Sequence, residues 1–263
     1  MSGTLAVLIT HQEPAAVAKM LRYWIGIEAC HLLIAYGGPK HYFPEIDHEP
    51  KLFISGSRLR TRDHLRERQS FTELVRAVSA KIRGLTYSHI WLMEYDHLPV
   101  TPDTVRQIRS FAEAESADLL GFQVKRLDNT HSPHYLSHAF DPEFHAFWNE
   151  VSRREDRAVV LSMIGTGSLW RREVFDEVAH YEEPTPIYLE IYLPTLAHHL
   201  GYRVRDFGEQ NRFVSSLPKP YFNLAWAQEQ GAWTIHPLKT AWEVDRISPQ
   251  RNRVRRDQSF VPF

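Results

Sequence analysis

HIWLMEYDHLPVTP, residues 89–102, is a run of apolar side chains that stops abruptly at two acids. Apolar residues fill positions 90–93, Glu94 and Asp96 then flank a tyrosine, and two prolines follow. Because proline cannot donate a backbone hydrogen bond to a sheet, the strand has to end near these prolines. The stretch therefore predicts a buried strand that carries two carboxylates at its carboxyl end.

The sequence around this stretch alternates short β-rich runs with amphipathic helical runs. Further strands are predicted at LAVLIT (5–10), HLLIAY (31–36), KLFIS (51–55) and DLLGFQV (118–124). Helices are predicted at about residues 13–26, 63–83 and 102–115. This order predicts an α/β fold in which helices flank a mostly parallel central sheet. Ligands bind beyond the carboxyl ends of such strands, where Thr10, His11 and Asp96 are expected.

The second half of the chain is less regular. Residues 125–157 are rich in His, Asp, Pro and aromatics, and they are predicted to form loops over the rim of the sheet. AVVLSM (158–163) reads as a strand before a glycine turn and a helix, and residues 187–207 read as a helix followed by a strand. We predict one domain over residues 1–240, followed by a basic, loosely ordered tail at 241–263.

Composition excludes several classes of protein. With 31 basic and 32 acidic residues the charges nearly cancel, so no attraction of the whole molecule to nucleic acid is expected. Cys30 is the only cysteine, which excludes an intrachain disulfide and a thiolate-rich zinc site, and it is predicted to be a small core residue. No apolar run reaches the roughly 18 residues of a transmembrane helix, and the first residues lack signal-peptide features. A soluble cytoplasmic protein is expected.

Four short patterns follow one another in an order typical of one enzyme family. They are WLMEYD (91–96), MIGTGSLWRREVFDEV (163–178), LEIYLPTLAHHLGYRV (189–204) and WTIHPLK (233–239). In this order the chain resembles nucleotide-sugar-dependent glycosyltransferases of the GT-A fold, closest to the inverting, family-2-like group. The resemblance covers about residues 5–236. It implies a single Rossmann-like GT-A domain with a nucleotide-binding half at about 1–124 and an acceptor half at about 125–240.

The resemblance implies a metal site at the acid pair. In that family an acid-any-acid motif holds a divalent metal on the donor diphosphate, and here Glu94 and Asp96 occupy its positions. Alternate residues of an extended segment face the same side, so both carboxylates can converge on one ion. His236 occupies the place of a late histidine that many GT-A enzymes supply as a further ligand. Mn²⁺ or Mg²⁺ is the expected cofactor, and an imidazole ligand favours Mn²⁺.

The resemblance also implies a catalytic base. Glu190 stands at the family's base position, at the usual spacing before Gly201, whereas Leu189 replaces the first acid of the family's pair. An inverting transfer needs one carboxylate to take the proton of the acceptor hydroxyl. Glu190 is the predicted base.

Contacts to the donor are predicted after the first strand, in a basic cluster after the third strand and at the acid pair. The donor is expected to contact Thr10, His11, Glu13, Arg62, Arg66 and Asp96. The glycine turn is expected to lie beside the donor sugar or the acceptor, with Gly165, Thr166, Gly167 and Trp170. Glycine at these turns would let the backbone approach a ligand without a clash from a Cβ atom.

The predicted function is metal-dependent transfer of a sugar from a nucleoside-diphosphate-sugar to a hydroxyl acceptor, such as a glycan or a lipid-linked sugar, with inversion. A nucleotidyltransferase on a similar sheet is one alternative, but it normally needs a glycine-rich basic loop where THQEP (10–14) stands. The other alternative is an inactive relative that binds the donor without turnover. Leu189, and Glu94 in place of the more common Asp, keep that alternative open.

Overall fold

The computed structural model describes residues 3–54, 64–127, 142–151, 159–181 and 187–239, with side chains described for all of these except 64–71. Two predicted features therefore lie outside the described residues. One is Arg62 together with the side chain of Arg66, and the other is the basic tail at 241–263.

The strands form one large sheet and two small ones. In chain order they are β1 (Gly3–Thr10), β2 (Cys30–Tyr36), β3 (Lys51–Phe53), β4 (Tyr87–Glu94), β5 (Leu98–Pro99), β6 (Leu119–Gly121), β7 (Lys125–Arg126), β8 (Leu161–Ser162), β9 (Leu169–Arg171), β10 (Val204–Asp206) and β11 (Thr234–Ile235). The seven-stranded sheet has the order β10-β6-β9-β4-β1-β2-β3, and all its pairs are parallel except those of β9. The two small sheets pair β11 with β5 and β7 with β8, both antiparallel.

Helices cover both faces of the large sheet. They are α1 (Pro14–Trp24), α2 (His64–Lys81), α3 (Thr104–Ala114), α4 (Pro142–Val151), α5 (Arg172–His180), α6 (Leu189–His199) and α7 (Leu224–Glu229), with short 3₁₀ helices at Lys40–Glu45 and Gly208–Phe213. Buried side chains of α2, α4, α5 and α6 belong to one apolar cluster, and those of α1, α3 and α7 belong to another. The predicted α/β fold with a mostly parallel, helix-flanked sheet is confirmed.

Burial of both faces of strand β1 explains why its sequence is apolar at almost every position. Leu5, Val7 and Ile9 belong to the first apolar cluster, whereas Ala6 and Leu8 belong to the second. Successive side chains of a strand point to opposite faces, so a strand covered by helices on both sides needs apolar residues without alternation.

Three elements differ from the sequence prediction. Residues 142–151 form helix α4 instead of a loop, with Phe144, Phe147 and Val151 buried at helical spacing. Strand β9 was not predicted, and it lies antiparallel between β4 and β6. The strand predicted at 118–124 ends at Gly121, because Gln123 has a φ of 52° and its backbone N–H donates to the side chain of Asn211 at 2.7 Å.

The order of the strands defines where a ligand is expected. From β1 the chain proceeds to β2 and β3 on one side and then returns to β4 on the other side of β1. The order therefore reverses between β1 and β4, whose carboxyl ends are Thr10 and Glu94. In open α/β sheets, ligands bind in the crevice at such a reversal. The acid pair thus lies beside the crevice that the topology creates.

Cys30 was predicted to be a core residue, and the structure shows a half-buried side chain that packs against the second apolar cluster. It donates a weak hydrogen bond to the carbonyl of His31 at 3.4 Å, and burial raises the pKa of the thiol to about 12. A thiol with so high a pKa stays protonated near neutral pH and is a poor nucleophile. Separately, none of the helices within the described residues has the length and apolar character that crossing a membrane requires.

Candidate metal centre and its surroundings

A tight turn after β4 places the second acid of the pair. The N–H of His97 donates to the carbonyl of Glu94 at 3.0 Å, which turns the chain within four residues. The N–H of Leu238 donates to the carbonyl of Asp96 at 2.8 Å and ties this turn to the last described segment. Asp96 is only 2% exposed, which is rare for a carboxylate that lacks a compensating partner.

The small sheet of β5 and β11 brings His236 to the same turn. Thr234 pairs with Pro99 and Ile235 with Leu98, so the chain after β11 runs back toward Asp96. The Nδ1–H of His236 donates to the carbonyl of Ser215 at 2.7 Å. In the neutral ring the lone pair is then on Nε2, which lies 3.5 Å from Oδ1 of Asp96.

Three potential ligand groups converge at this point. One atom from each of Glu94, Asp96 and His236 lies within 4.8 Å of the others. Oδ1 of Asp96 is buried and has no hydrogen-bond partner, and it faces an imidazole nitrogen that is also an acceptor in the neutral ring. Two facing acceptors are unfavourable together unless a proton or a metal cation lies between them. The residues therefore fit a divalent ion bound by carboxylates and one imidazole, a donor set that suits Mn²⁺.

Charge also favours a cation here. Burial, together with the charges of Asp96 and Glu190, raises the pKa of Glu94 to about 7, while His236 and Lys239 act in the opposite direction. Several carboxylates are thus close enough to repel one another in a poorly solvated site. A cation bound among them would favour their ionised forms.

Glu190, the predicted base, lies on the rim of this site. It occupies the first turn of α6, where the helix dipole favours a carboxylate, and its Oε1 accepts a hydrogen bond from the N–H of Gly165 at 3.1 Å. A Cβ at position 165 would lie 3.0 Å from Cδ1 of Leu189 and 3.4 Å from Cγ of Glu190, so the glycine allows the helix to approach the loop. Leu189, the neighbour of Glu190, is buried in the core.

Residues 165–167, the glycine loop, are hydrogen-bonded to the carboxyl end of β4, where the acid pair begins. The N–H of Glu94 donates to Oγ1 of the buried Thr166 at 2.8 Å, and the N–H of Gly167 donates to the carbonyl of Leu92 at 2.7 Å. Gly167 has a φ of 84°, and a Cβ there would lie 2.3 Å from Cε1 of His97. Thr166 is therefore buried against the end of β4, and Gly167 leaves room for the His97 ring.

Trp170 differs from the prediction. It lies in β9 and is 1% exposed, with its Nε1–H donating to Oγ of Ser168 at 2.8 Å and its ring edge packed against Phe175. Its indole is a core side chain and not part of a substrate loop. Side chains of β9 alternate between the two faces of the sheet, and the side chain of Trp170 lies on the face where it packs in the apolar cluster that includes Phe175 of α5.

The predicted donor contacts after β1 are partly reoriented. Thr10 is fully buried, and its Oγ1 accepts a hydrogen bond from the N–H of Gln12 at 3.2 Å, so its side chain shapes the loop instead of facing a ligand. The ring of His11 packs against the ring of Tyr95, the residue between the two acids, with the ring centroids 4.9 Å apart. Glu13 is exposed at the start of α1. The structure thus places His11 beside the acid turn.

Sequence reasoning missed a buried histidine next to the acids. His97 is 0% exposed, its ring centroid lies 5.2 Å from that of His236, and its two ring nitrogens bond to Thr166 and Thr234. Burial lowers the pKa of His97 well below its ordinary value, so the ring is neutral.

No protein-family model and no curated protein matches the sequence. One solved structure to which the chain is similar is the mannosyltransferase PcManGT from Pyrobaculum calidifontis, in complex with GDP-Man and Mn²⁺. The TM-score is 0.41 at 10% sequence identity, and the match covers 86% of this chain and 60% of the other. The chain thus spans less than two thirds of the length of that structure.

Proposed function

We propose that the protein is a metal-dependent glycosyltransferase that moves a sugar from a nucleoside-diphosphate-sugar to a hydroxyl acceptor with inversion. The observation that carries the proposal is the convergence of Glu94, Asp96 and His236 at the reversal of strand order, with Glu190 on the same rim. A crevice at this position suits a nucleotide. Residues 1–124 would then bind the nucleotide, and residues 125–240 would bind the acceptor.

The three converging side chains would hold Mn²⁺ or Mg²⁺. Such an ion supplies positive charge that offsets the negative charge developing on the departing diphosphate. Lys239 is exposed and close enough to lower the pKa of Glu94, so its ammonium group is placed to bind a diphosphate oxygen as well. His11, beside Tyr95, and Glu13 are the candidate contacts to the base or ribose.

Glu190 would act as the general base. The oxygen of the acceptor hydroxyl attacks the anomeric carbon from the face opposite the diphosphate and forms the new glycosidic bond. The bond from that carbon to the diphosphate oxygen breaks, and its electron pair leaves on the nucleoside diphosphate. The hydroxyl proton passes to the carboxylate of Glu190. The hydrogen bond from Gly165 fixes the direction of one oxygen of that carboxylate.

A thermal-shift panel of nucleoside mono-, di- and triphosphates and nucleoside-diphosphate-sugars, each with and without Mn²⁺, tests this proposal. A ligand that binds only the folded state at about 100 times its Kd adds roughly 2.7 kcal/mol of stability. For a chain of this length that corresponds to a rise in Tm of about 5–10 °C. We expect one diphosphate and its sugars to reach this rise only when Mn²⁺ is present.

Two results would contradict the proposal. Identical Tm shifts with and without Mn²⁺ would show that the metal takes no part in donor binding. A shift with a triphosphate alone would favour the nucleotidyltransferase alternative, because that reaction consumes a triphosphate and releases pyrophosphate.

A further inference from the structure

His97 is a buried polar residue that links three separate segments of the chain. Its Nδ1 lies 3.2 Å from Oγ1 of Thr166 in the glycine loop, and its Nε2 lies 2.8 Å from Oγ1 of Thr234 in β11. Its own backbone closes the turn that carries Glu94 and Asp96. Each of these segments carries or contacts a member of the acid pair or His236.

The links reach each of the three converging groups by one or two steps. Thr166, besides contacting His97, accepts the backbone N–H of Glu94 at 2.8 Å. Thr234 precedes His236 by two positions, and the His97 and His236 rings are in contact, with centroids 5.2 Å apart. Asp96 is the immediate neighbour of His97 in the chain. The His97 side chain therefore contacts Thr166, Thr234 and the His236 ring, and its backbone adjoins Asp96.

We propose that His97 is a positioning residue that sets the distances among Glu94, Asp96 and His236 and thereby prepares them to bind a divalent cation. This inference rests on the proposed function, since it assumes that these three residues bind a metal. Metal sites generally need residues that do not bind the metal themselves but hold its ligands in place, because ligands that are free to move bind weakly.

The chemistry of imidazole explains why a histidine occupies this position. A neutral ring offers one donor and one acceptor on opposite sides, and each hydroxyl can take the complementary role. It can thus bridge Thr166 and Thr234 without carrying a charge into a buried site. Gly167 makes room for the ring, because a Cβ there would lie 2.3 Å from Cε1 of His97. The position is shaped around an imidazole on both its polar and its apolar sides.

The test is the affinity of the donor-free protein for Mn²⁺, measured by the electron paramagnetic resonance signal of free Mn²⁺. We expect His97→Ala to weaken Mn²⁺ binding about tenfold, the lower end of the range for loss of an outer partner of a metal ligand, because His97 acts through Thr166 and Thr234. Thr234→Val removes only the hydroxyl that bonds Nε2, and it should weaken binding by a smaller factor, which Thr234→Ser should restore. These threonine variants retain the ring and test the proposal even if His97→Ala fails to fold.

The matched control is His199→Ala. His199 is also a buried histidine, and its Nε2 is 2.8 Å from the carbonyl of Val159, away from the acid pair. It should lose stability, as judged by circular dichroism, without loss of Mn²⁺ affinity. Unchanged Mn²⁺ affinity in both His97→Ala and Thr234→Val, with tight binding by the native chain, would overturn the role of His97 alone. Failure of the native chain to bind Mn²⁺ would overturn the metal centre and this inference together.

Discussion

Replacement of Glu190 by glutamine should lower kcat by about 10³-fold and leave the affinity for the donor unchanged. General bases typically contribute roughly 10²- to 10⁴-fold to the rate, and an amide cannot accept the proton of the acceptor hydroxyl. Glutamine retains a carbonyl oxygen that can accept the N–H of Gly165, so the loop and the start of α6 should stay in place. The loss should therefore be confined to the chemical step.

The measurement is the rate of nucleoside diphosphate release with the donor and an acceptor identified by screening, together with the Kd of the donor. Glu173→Gln is a suitable control. Glu173 also lies in the first turn of a helix, but that helix follows Arg171, which pairs with His89 at the other end of β4. This control should keep full activity.

Equal rates for native protein and Glu190→Gln would show that Glu190 is not the base. If the native chain bound the donor with Mn²⁺ but showed no turnover with any acceptor tested, the inactive relative would be the better interpretation. The buried Leu189, which replaces an acid of the family pattern, would then be the first position to examine by substitution.

Replacement of Asp96 by asparagine should abolish the Mn²⁺-dependent part of donor binding, with a loss in Mn²⁺ affinity of at least about 100-fold. Removal of a direct ligand is expected to exceed the roughly 10- to 100-fold cost of losing an outer partner. Asparagine preserves the shape of the side chain in a site where Asp96 is almost fully buried. Titration of Mn²⁺ followed by donor binding in the same calorimeter cell measures both losses.

The same substitution should raise the Tm of the metal-free protein. In the native chain Oδ1 of Asp96 is buried without a hydrogen-bond partner and faces Nε2 of His236 at 3.5 Å. An asparagine amide can donate to that nitrogen in the neutral ring, which removes one unpaired group at a gain of about 1–3 kcal/mol. The expected rise is a few degrees, at roughly 2–4 °C per kcal/mol.

Asp118→Asn supplies the opposite control. Its carboxylate accepts hydrogen bonds from the Arg203 N–H at 2.8 Å and from the Arg171 guanidinium at 2.9 Å, and together these hold its pKa below the ordinary value. That variant should be less stable and should keep its response to Mn²⁺. A lower Tm for Asp96→Asn in the absence of metal, with Mn²⁺ binding retained, would show that Asp96 serves the fold and not a cation.

Local patterns were sufficient to predict most of the sheet and its helices. Strand β1 and the apolar part of β4 are buried on both faces, and an uninterrupted apolar run is typical of that environment. Helix α4 had a visible signal as well, since Phe144, Phe147 and Val151 are spaced for one helix face. The surrounding polar and proline-rich sequence concealed it.

Non-local pairing could not be predicted from the sequence. Strand β9 has three residues, and its position between β4 and β6 depends on partners far away in the chain. The site shows the same limit. The acid pair was visible as a motif, whereas the network of His97, Thr166 and Thr234 exists only because β11 pairs with β5.

An anomalous-difference map from crystals of the native protein soaked with Mn²⁺ and a nucleoside diphosphate is the most direct measurement of the metal centre. We expect a single strong peak within about 2.5 Å of Oδ1 of Asp96 and Nε2 of His236, with diphosphate oxygens completing the coordination. A fully occupied nucleotide with no peak between these two side chains, or with the ion held elsewhere, would contradict the proposed mechanism.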